Sequence, residues 1–175
     1  MVWGIIPAKS KDAKIGDRLI NTEAETLTRK ASLKRVFQTQ RCLIPANGYL
    51  ERQPTKRGKI PFLFEMADQG MFCMAGVWDR WTHPHLDGEL GLDDTGPNLS
   101  QVIESFTIIQ TKPNAMVGEV HDRMPLIFGS EHYSVWLEPN SDPKFLKALL
   151  KPFPGKMECR PVSGVDDVRG VINLA

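Results

Sequence analysis

The sequence predicts an α+β fold: a curled, mostly antiparallel β-sheet, barrel-like in outline, with helices at its periphery. Short apolar or β-branched runs bounded by Gly, Pro, Asn and Asp recur through the middle of the chain, the pattern of strands joined by turns. Segments of helical spacing lie towards the two ends and can pack outside such a sheet. With 175 residues, no repeat and no low-complexity tract, the chain fits one domain, 1–175, around a single core.

Element by element, Trp3 to Ile6 is an apolar run stopped by Pro7 and reads as a strand. Ala8 to Arg18 is lysine-rich, broken at Gly16, and reads as a loop. Leu27, Leu33, Val36 and Phe37 recur at roughly helical spacing, so Glu23 to Phe37 fits one helix or two short ones. Cys42 to Ile44 is a strand, Asn47-Gly48 a turn, and Tyr49 to Glu51 the strand that resumes. Pro61 to Met66 and Met71 to Trp81 are two strands whose connector, Ala67 to Gly70, suits a hairpin. Thr82 to Ser100, with its acidic stretch Asp87 to Asp94, has no apolar periodicity and reads as an exposed insertion. Val102 to Thr111 alternates and is β-branched, hence a strand. Asn114 to Val120 suits a short helix. Ser130 to Leu137 and Asp142 to Leu150 read as amphipathic helices with Ser130 and Asp142 as N-caps, and Met157 to Ser163 as the last strand.

Composition narrows the function. A net charge of +1 gives no overall basic field, so any nucleic-acid contact must come from a local patch. The first quarter supplies one in Lys9, Lys11, Lys14, Arg18, Arg29, Lys30, Lys34, Arg35 and Arg41, which is either a solvated face or a phosphate-facing groove. Cys42, Cys73 and Cys159 show neither metal spacing nor a disulfide framework, which points to a reducing cytoplasm. Nothing resembles a signal peptide or a membrane-spanning run. No cofactor, metal or membrane is expected, and the protein is expected to be a monomer.

His121-Asp122-Arg123-Met124-Pro125 is the most informative stretch, because three adjacent polar groups rarely enter an apolar interior unpaired. It reads as a solvated turn or as a site in which His121 takes and returns a proton near neutral pH. Arg123 then offers a charge-assisted donor to a phosphate. Asn21 is either a helix N-cap or a carboxamide that holds a reacting group. Glu51 is either an exposed strand-end carboxylate or, sharing a face with Tyr49, a partly buried acid with a raised pKa. His83 and His85 fall in the insertion, and His132 reads as structural.

The ordered blocks Trp3-Gly4-Ile5-Ile6-Pro7, Ile20 to Thr26, Arg41 to Arg52 and His121 to Pro125, with Arg160-Pro161-Val162-Ser163 near the end, resemble the SOS response-associated peptidase family of abasic-site-processing proteins. The resemblance covers essentially the whole chain. It implies an enzyme that binds single-stranded DNA and traps abasic sites as a covalent thiazolidine crosslink, with associated peptidase activity. It makes Asn21, Glu51 and His121 the catalytic group and puts Arg123, Lys9 and Arg52 on the DNA. Glu23 stands where the family usually carries a DNA-contacting arginine, and Lys9 and Arg52 stand where it carries tryptophans. Family members begin Met-Cys-Gly-Arg with the cysteine as nucleophile, whereas this chain begins Met1-Val2-Trp3. The expectation is a domain lacking the family's N-terminal segment, which as written binds abasic DNA without forming the stable crosslink. The competing readings are a non-catalytic single-stranded-DNA-binding module and a small hydrolase built on Glu51 and His121.

Overall fold

A computed structural model describes residues 1–83, 102–163 and 171–174. In chain order the elements are β1 (Val2–Trp3), β2 (Asn21–Glu23), α1 (Ala24–Leu27), α2 (Ala31–Thr39), β3 (Arg41–Ala46), β4 (Gly48–Thr55), β5 (Gly58–Met66), β6 (Phe72–Thr82), β7 (Val102–Thr111), β8 (Met124–Pro125), α3 (Tyr133–Leu137), α4 (Pro143–Ala148), β9 (Met157–Pro161) and β10 (Val171–Asn173). They form an α+β fold with two sheets rather than one. A strongly curled half-barrel carries β1, β2, β3, β6, β7 and β8, and a second sheet runs β10-β4-β5-β9. The long pairs are antiparallel, but β1 and β2 run parallel to β7 and β10 runs parallel to β4.

Period-two alternation sorts the core into two layers. On β6 and β7, Ala75, Val77 and Ile109 face the helices, joining Leu27, Leu33, Val36, Phe37 and Trp136. Met74 and Ile108 face the other way and meet Tyr49, Phe64, Met66 and Met157 of the second sheet. Past Gly76 the strands β6 and β7 part, and the segment around β8 wedges between them. Leu126 donates its N–H to Ile109 at 2.7 Å and accepts from the Ala75 N–H at 2.8 Å. A side chain at Gly76 would lie 2.7 Å from the Thr107 carbonyl oxygen, so the close approach there needs glycine.

Several expectations are corrected. The Pro61–Met66 and Met71–Trp81 strands are no hairpin: β5 pairs with β4 and β9, while β6 pairs with β3 and β7. Their connector carries the chain from one sheet to the other, with Gln69 at φ 54 and the Asp68 carboxylate accepting from the Gly70 N–H at 2.9 Å. Of the Trp3–Ile6 run only Trp3 is strand, at the end of β1 (Val2–Trp3). The Ala8–Arg18 loop contains a 3₁₀ helix, Ala13–Arg18, capped by Asp12. Gly16 is no mere break, because its backbone touches that of Gly4, where φ is 116. Of the two expected forms of the Glu23–Phe37 segment, the two short helices are found, as α1 and α2. The Asn114–Val120 helix is one 3₁₀ turn, Val117–Glu119. The Ser130 segment opens as a 3₁₀ turn on Gly129 and receives no cap from the serine, whereas Asp142 does cap α4 by accepting from the Lys144 N–H at 2.8 Å. Met157–Ser163 is not the last strand, since β10 follows. Beyond Thr82 and His83, the expected insertion lies outside the described residues, as does the acidic stretch.

Arg41 joins the helical layer to the edge of the half-barrel. Its buried guanidinium donates to the carbonyls of Phe37 (2.7 Å), Gln38 (2.5 Å), Trp136 (2.5 Å) and Glu138. Arg41→Ala leaves these carbonyls without their donor and should lower stability by about 3 kcal/mol, read as the urea midpoint. A midpoint within error of the parent would contradict this role.

Candidate functional site

Four buried side-chain atoms without a hydrogen-bond partner among the described residues mark the site: Asn21 Oδ1, Tyr49 Oη and both carboxylate oxygens of Glu51. Buried polar groups are ordinarily paired, so an orphan set confined to Asn21, Tyr49 and Glu51 makes these residues candidates for holding a ligand.

Tyr49 and Glu51 lie two residues apart on β4 and so share its inner face, turned towards the half-barrel. Tyr49 stacks on Phe64 with ring centroids 4.9 Å apart. Glu51 is 1% exposed. Burial pushes its carboxyl up to about 7, against the opposing pull of His121 and of the Arg52 backbone amide. Burial likewise raises the Tyr49 phenol, with the charges of Glu51 and Cys159 adding to it.

His121 reaches this acid from the loop ahead of β8. The Asn114 side chain shapes that loop, accepting from the Val117 N–H at 3.0 Å and donating to the Phe153 carbonyl at 3.1 Å. The His121 N–H then donates to the Val117 carbonyl at 2.9 Å. The imidazole Nε2 lies 3.8 Å from Glu51 Oε2. Its Nδ1 faces the Arg123 N–H at 3.2 Å and the Arg123 carbonyl at 3.3 Å. The amide can only donate, so a neutral ring that accepts from it carries its proton on Nε2, towards Glu51. At 3.8 Å the carboxyl and the imidazole interact electrostatically and are too far apart for a direct hydrogen bond.

Asn21 opens β2 and stands opposite Ile108 on β7, and is therefore strand rather than helix cap; the residue before α1 is Glu23. Its Nδ2 donates to the Leu174 carbonyl at 3.1 Å, and the Leu174 N–H donates to the Leu50 carbonyl at 3.1 Å. Asn21 is thus tied across both sheets to the strand that carries Glu51.

The basic residues are dispersed. Arg123 is bound by two carboxylates, Nη2 to Glu23 at 3.1 Å and Nη1 to Glu25 at 3.0 Å. Arg52 follows Glu51 on β4, opposite Pro61. Lys9 lines a separate hollow with Ala31, Ser32, Arg35 and Asp79. In that hollow the buried Asp79 carboxylate takes both the Arg35 guanidinium (2.6 Å) and the Ala8 N–H (2.9 Å). The three cysteines are free, and burial pushes the Cys42 thiol up to about 12, away from thiolate chemistry at neutral pH. Among the described residues no group of three or more His, Cys, Asp or Glu side chains is placed to hold a metal ion, and no helix is long and apolar enough to cross a membrane.

Sequence reading passed over Glu25, which grips Arg123 across 98 residues and leaves no local signal. It set Tyr49 on the same face as Glu51 by their two-residue spacing but gave the phenol no role of its own. The Asn114 side chain gave no sign beyond a helix start.

Comparison with known proteins gives the context. The family model described as SOS response associated peptidase (SRAP) matches residues 1–168. The chain is 36% identical over 166 residues to abasic site processing protein YoqW of Bacillus subtilis, covering 93% of this chain and 68% of that one. It is 26% identical over 160 residues to abasic site processing protein HMCES of Xenopus tropicalis, covering 79% of this chain and 44% of that one. A solved protein of Bacteroides thetaiotaomicron superposes with a TM-score of 0.79 at 28% identity, over 93% of this chain and 68% of that one.

The raised Glu51 carboxyl sets a pH dependence. Between the ordinary value of 4.5 and about 7 the folded protein holds a proton that the unfolded chain releases. Stability due to this group is therefore fully present below the lower value and is lost as pH rises through the upper one. Glu51→Gln removes the titration, so the variant should gain on the parent from pH 4.5 to 8, reaching about 3 kcal/mol at the upper end. Parallel stability profiles for the two proteins would refute the burial argument.

Proposed function

Because the chain belongs to the SOS response associated peptidase (SRAP) family, we propose that the Asn21–Glu51–His121 group acts on abasic sites in DNA. The observation that carries the proposal is the orphan set of buried polar atoms beside an acid–imidazole pair. An opened abasic sugar presents hydroxyls and an aldehyde, which supply the missing donors and acceptors. The Asn21 carboxamide oxygen accepts from a sugar hydroxyl while its nitrogen stays on Leu174. The Glu51 carboxyl, held near neutrality, gives a proton to the aldehyde oxygen as it is attacked, and His121 on its flank takes or returns one. Arg123, two residues beyond His121, lies where a flanking phosphate passes.

The finer reading is that the DNA is single-stranded and that the chemistry is the family's covalent one. In that chemistry an N-terminal cysteine closes amine and thiol on the aldehyde carbon, with loss of water, to give a thiazolidine. The 175-residue chain begins Met1-Val2 and so binds the lesion without itself closing that ring. The same residues serve the associated peptidase step. Cys42, Cys73 and Cys159 are interior to the sequence and carry no free α-amine, so none of them takes that part.

The test is fluorescence anisotropy with a single-stranded oligonucleotide carrying one abasic site and its undamaged counterpart. The 175-residue chain should prefer the abasic strand, and Asn21→Ala should erase about tenfold of that preference, the worth of one hydrogen bond to a buried group. Affinity for both strands should fall with added salt. Equal affinity for the two strands, or a preference untouched by Asn21→Ala, would overturn the assignment.

A further inference from the structure

The two charged residues beside the site are arranged in step with it. Glu23 lies two residues beyond Asn21 on β2, and Arg123 two beyond His121 just ahead of β8; β2 and β8 both pair with β7 at Gln110, so the Glu23–Arg123 ion pair spans β7. The two carboxylates on Arg123 are not equivalent. Glu25 is anchored: its own backbone N–H first, and then Arg123 and Lys112, hold its carboxyl below the usual range against the opposing effect of burial. Glu23 has its side chain 52% exposed against 37% for Glu25, and it engages the other guanidinium nitrogen, Nη2.

A phosphodiester recognises arginine through the paired N–H groups of its fork. With Nη1 on Glu25 and Nη2 on Glu23, both prongs are already answered by carboxylate oxygens. We propose that Glu23 is a selectivity residue of this site: its carboxylate competes with phosphate for Arg123 Nη2 and so weakens the protein's hold on a nucleic-acid backbone. The proposal rests on reading the site as one that takes DNA. Glu25 keeps the guanidinium in position, and Glu23 is the group that must swing aside before a phosphate can dock. The consequence is a site whose recognition rests on the sugar-facing groups more than on backbone charge. A passing undamaged strand, which offers phosphates and no opened sugar, is then held weakly.

The experiment titrates inorganic pyrophosphate and, separately, an abasic single-stranded oligonucleotide against four proteins: the parent, Glu23→Gln, Arg123→Gln and the double variant. Glu23 is a surface residue, so its replacement by glutamine leaves the core intact. Glu23→Gln should bind both ligands about threefold to tenfold more tightly, as expected for one exposed competing charge. That gain should vanish when Arg123 is also replaced, which separates competition for this guanidinium from a general rise in net charge. An unchanged affinity for both ligands in Glu23→Gln, or a gain of the same size in the Arg123→Gln background, would overturn the proposal. A gain for pyrophosphate while no protein takes the oligonucleotide would uphold the competition and overturn the DNA reading. Oligonucleotide binding indifferent to Glu23 would do the reverse.

Discussion

Four backbone carbonyls, from Phe37 and Gln38 at the end of α2 and from Trp136 and Glu138 at the end of α3, converge on the guanidinium of Arg41. The last carbonyls of a helix lack intrahelical donors and carry partial negative charge, so a cation buried among two such ends serves as the shared cap of both. α3 has only five residues and could not hold itself together in isolation. Arg41 begins β3, so the same contact fixes the helical layer to the edge of the half-barrel. Trp136 completes the joint, with the guanidinium carbon 5.9 Å from its ring and its indole N–H donating to the Cys42 carbonyl at 2.9 Å. Everything on the far side of the half-barrel, the site included, is referenced to a sheet held in this way.

The site inverts that economy. Arg41 is buried and answered by four carbonyls, whereas Glu51 and Tyr49 are buried and left open. A fold selected for stability alone would fill those positions with apolar side chains, as it does with Phe64 and Met66 on the neighbouring strand. The wedge formed by β8 is part of the same arrangement. It separates β6 from β7 where His121 and Arg123 enter, and it hands the backbone hydrogen bonds of both strands to Leu126.

Local pattern carried much of this information. Apolar runs bounded by turn residues found the strands around Leu43, Tyr49, Phe62 and Met74, alternation found the one around Ile108, the periodic apolar positions found α2, and Asp142 announced its helix. Partnership was not legible, because period-two alternation says that Phe62 and Met74 belong to strands and nothing about which sheet receives them. The connector Ala67 to Gly70 looks the same whether it folds a strand back or passes it across. The sequence blocks that contain Asn21, Glu51 and His121 were legible in order. The carboxylates that hold Arg123 were not, since an ion pair between residues 98 apart has no signature in either neighbourhood. Lys9 and Arg123 are both cations in the sequence, and only the fold separates the one beside Asp79 from the one beside His121.

The bond from Asn21 Nδ2 to the Leu174 carbonyl joins residues 153 apart in the chain. Loop closure on that scale carries a large entropic cost, which is recovered only after the intervening sheets have formed, so this contact belongs to the end of the folding reaction rather than its beginning. A nascent chain emerging from the ribosome residue by residue can assemble the half-barrel and the β4–β5 ribbon well before Leu174 is released. Asn21 then waits without its acceptor, and the carboxamide is held only when the segment that carries β10 and Leu174 docks on β4. Ordering of the Asn21 carboxamide therefore reports that both sheets have already assembled around it.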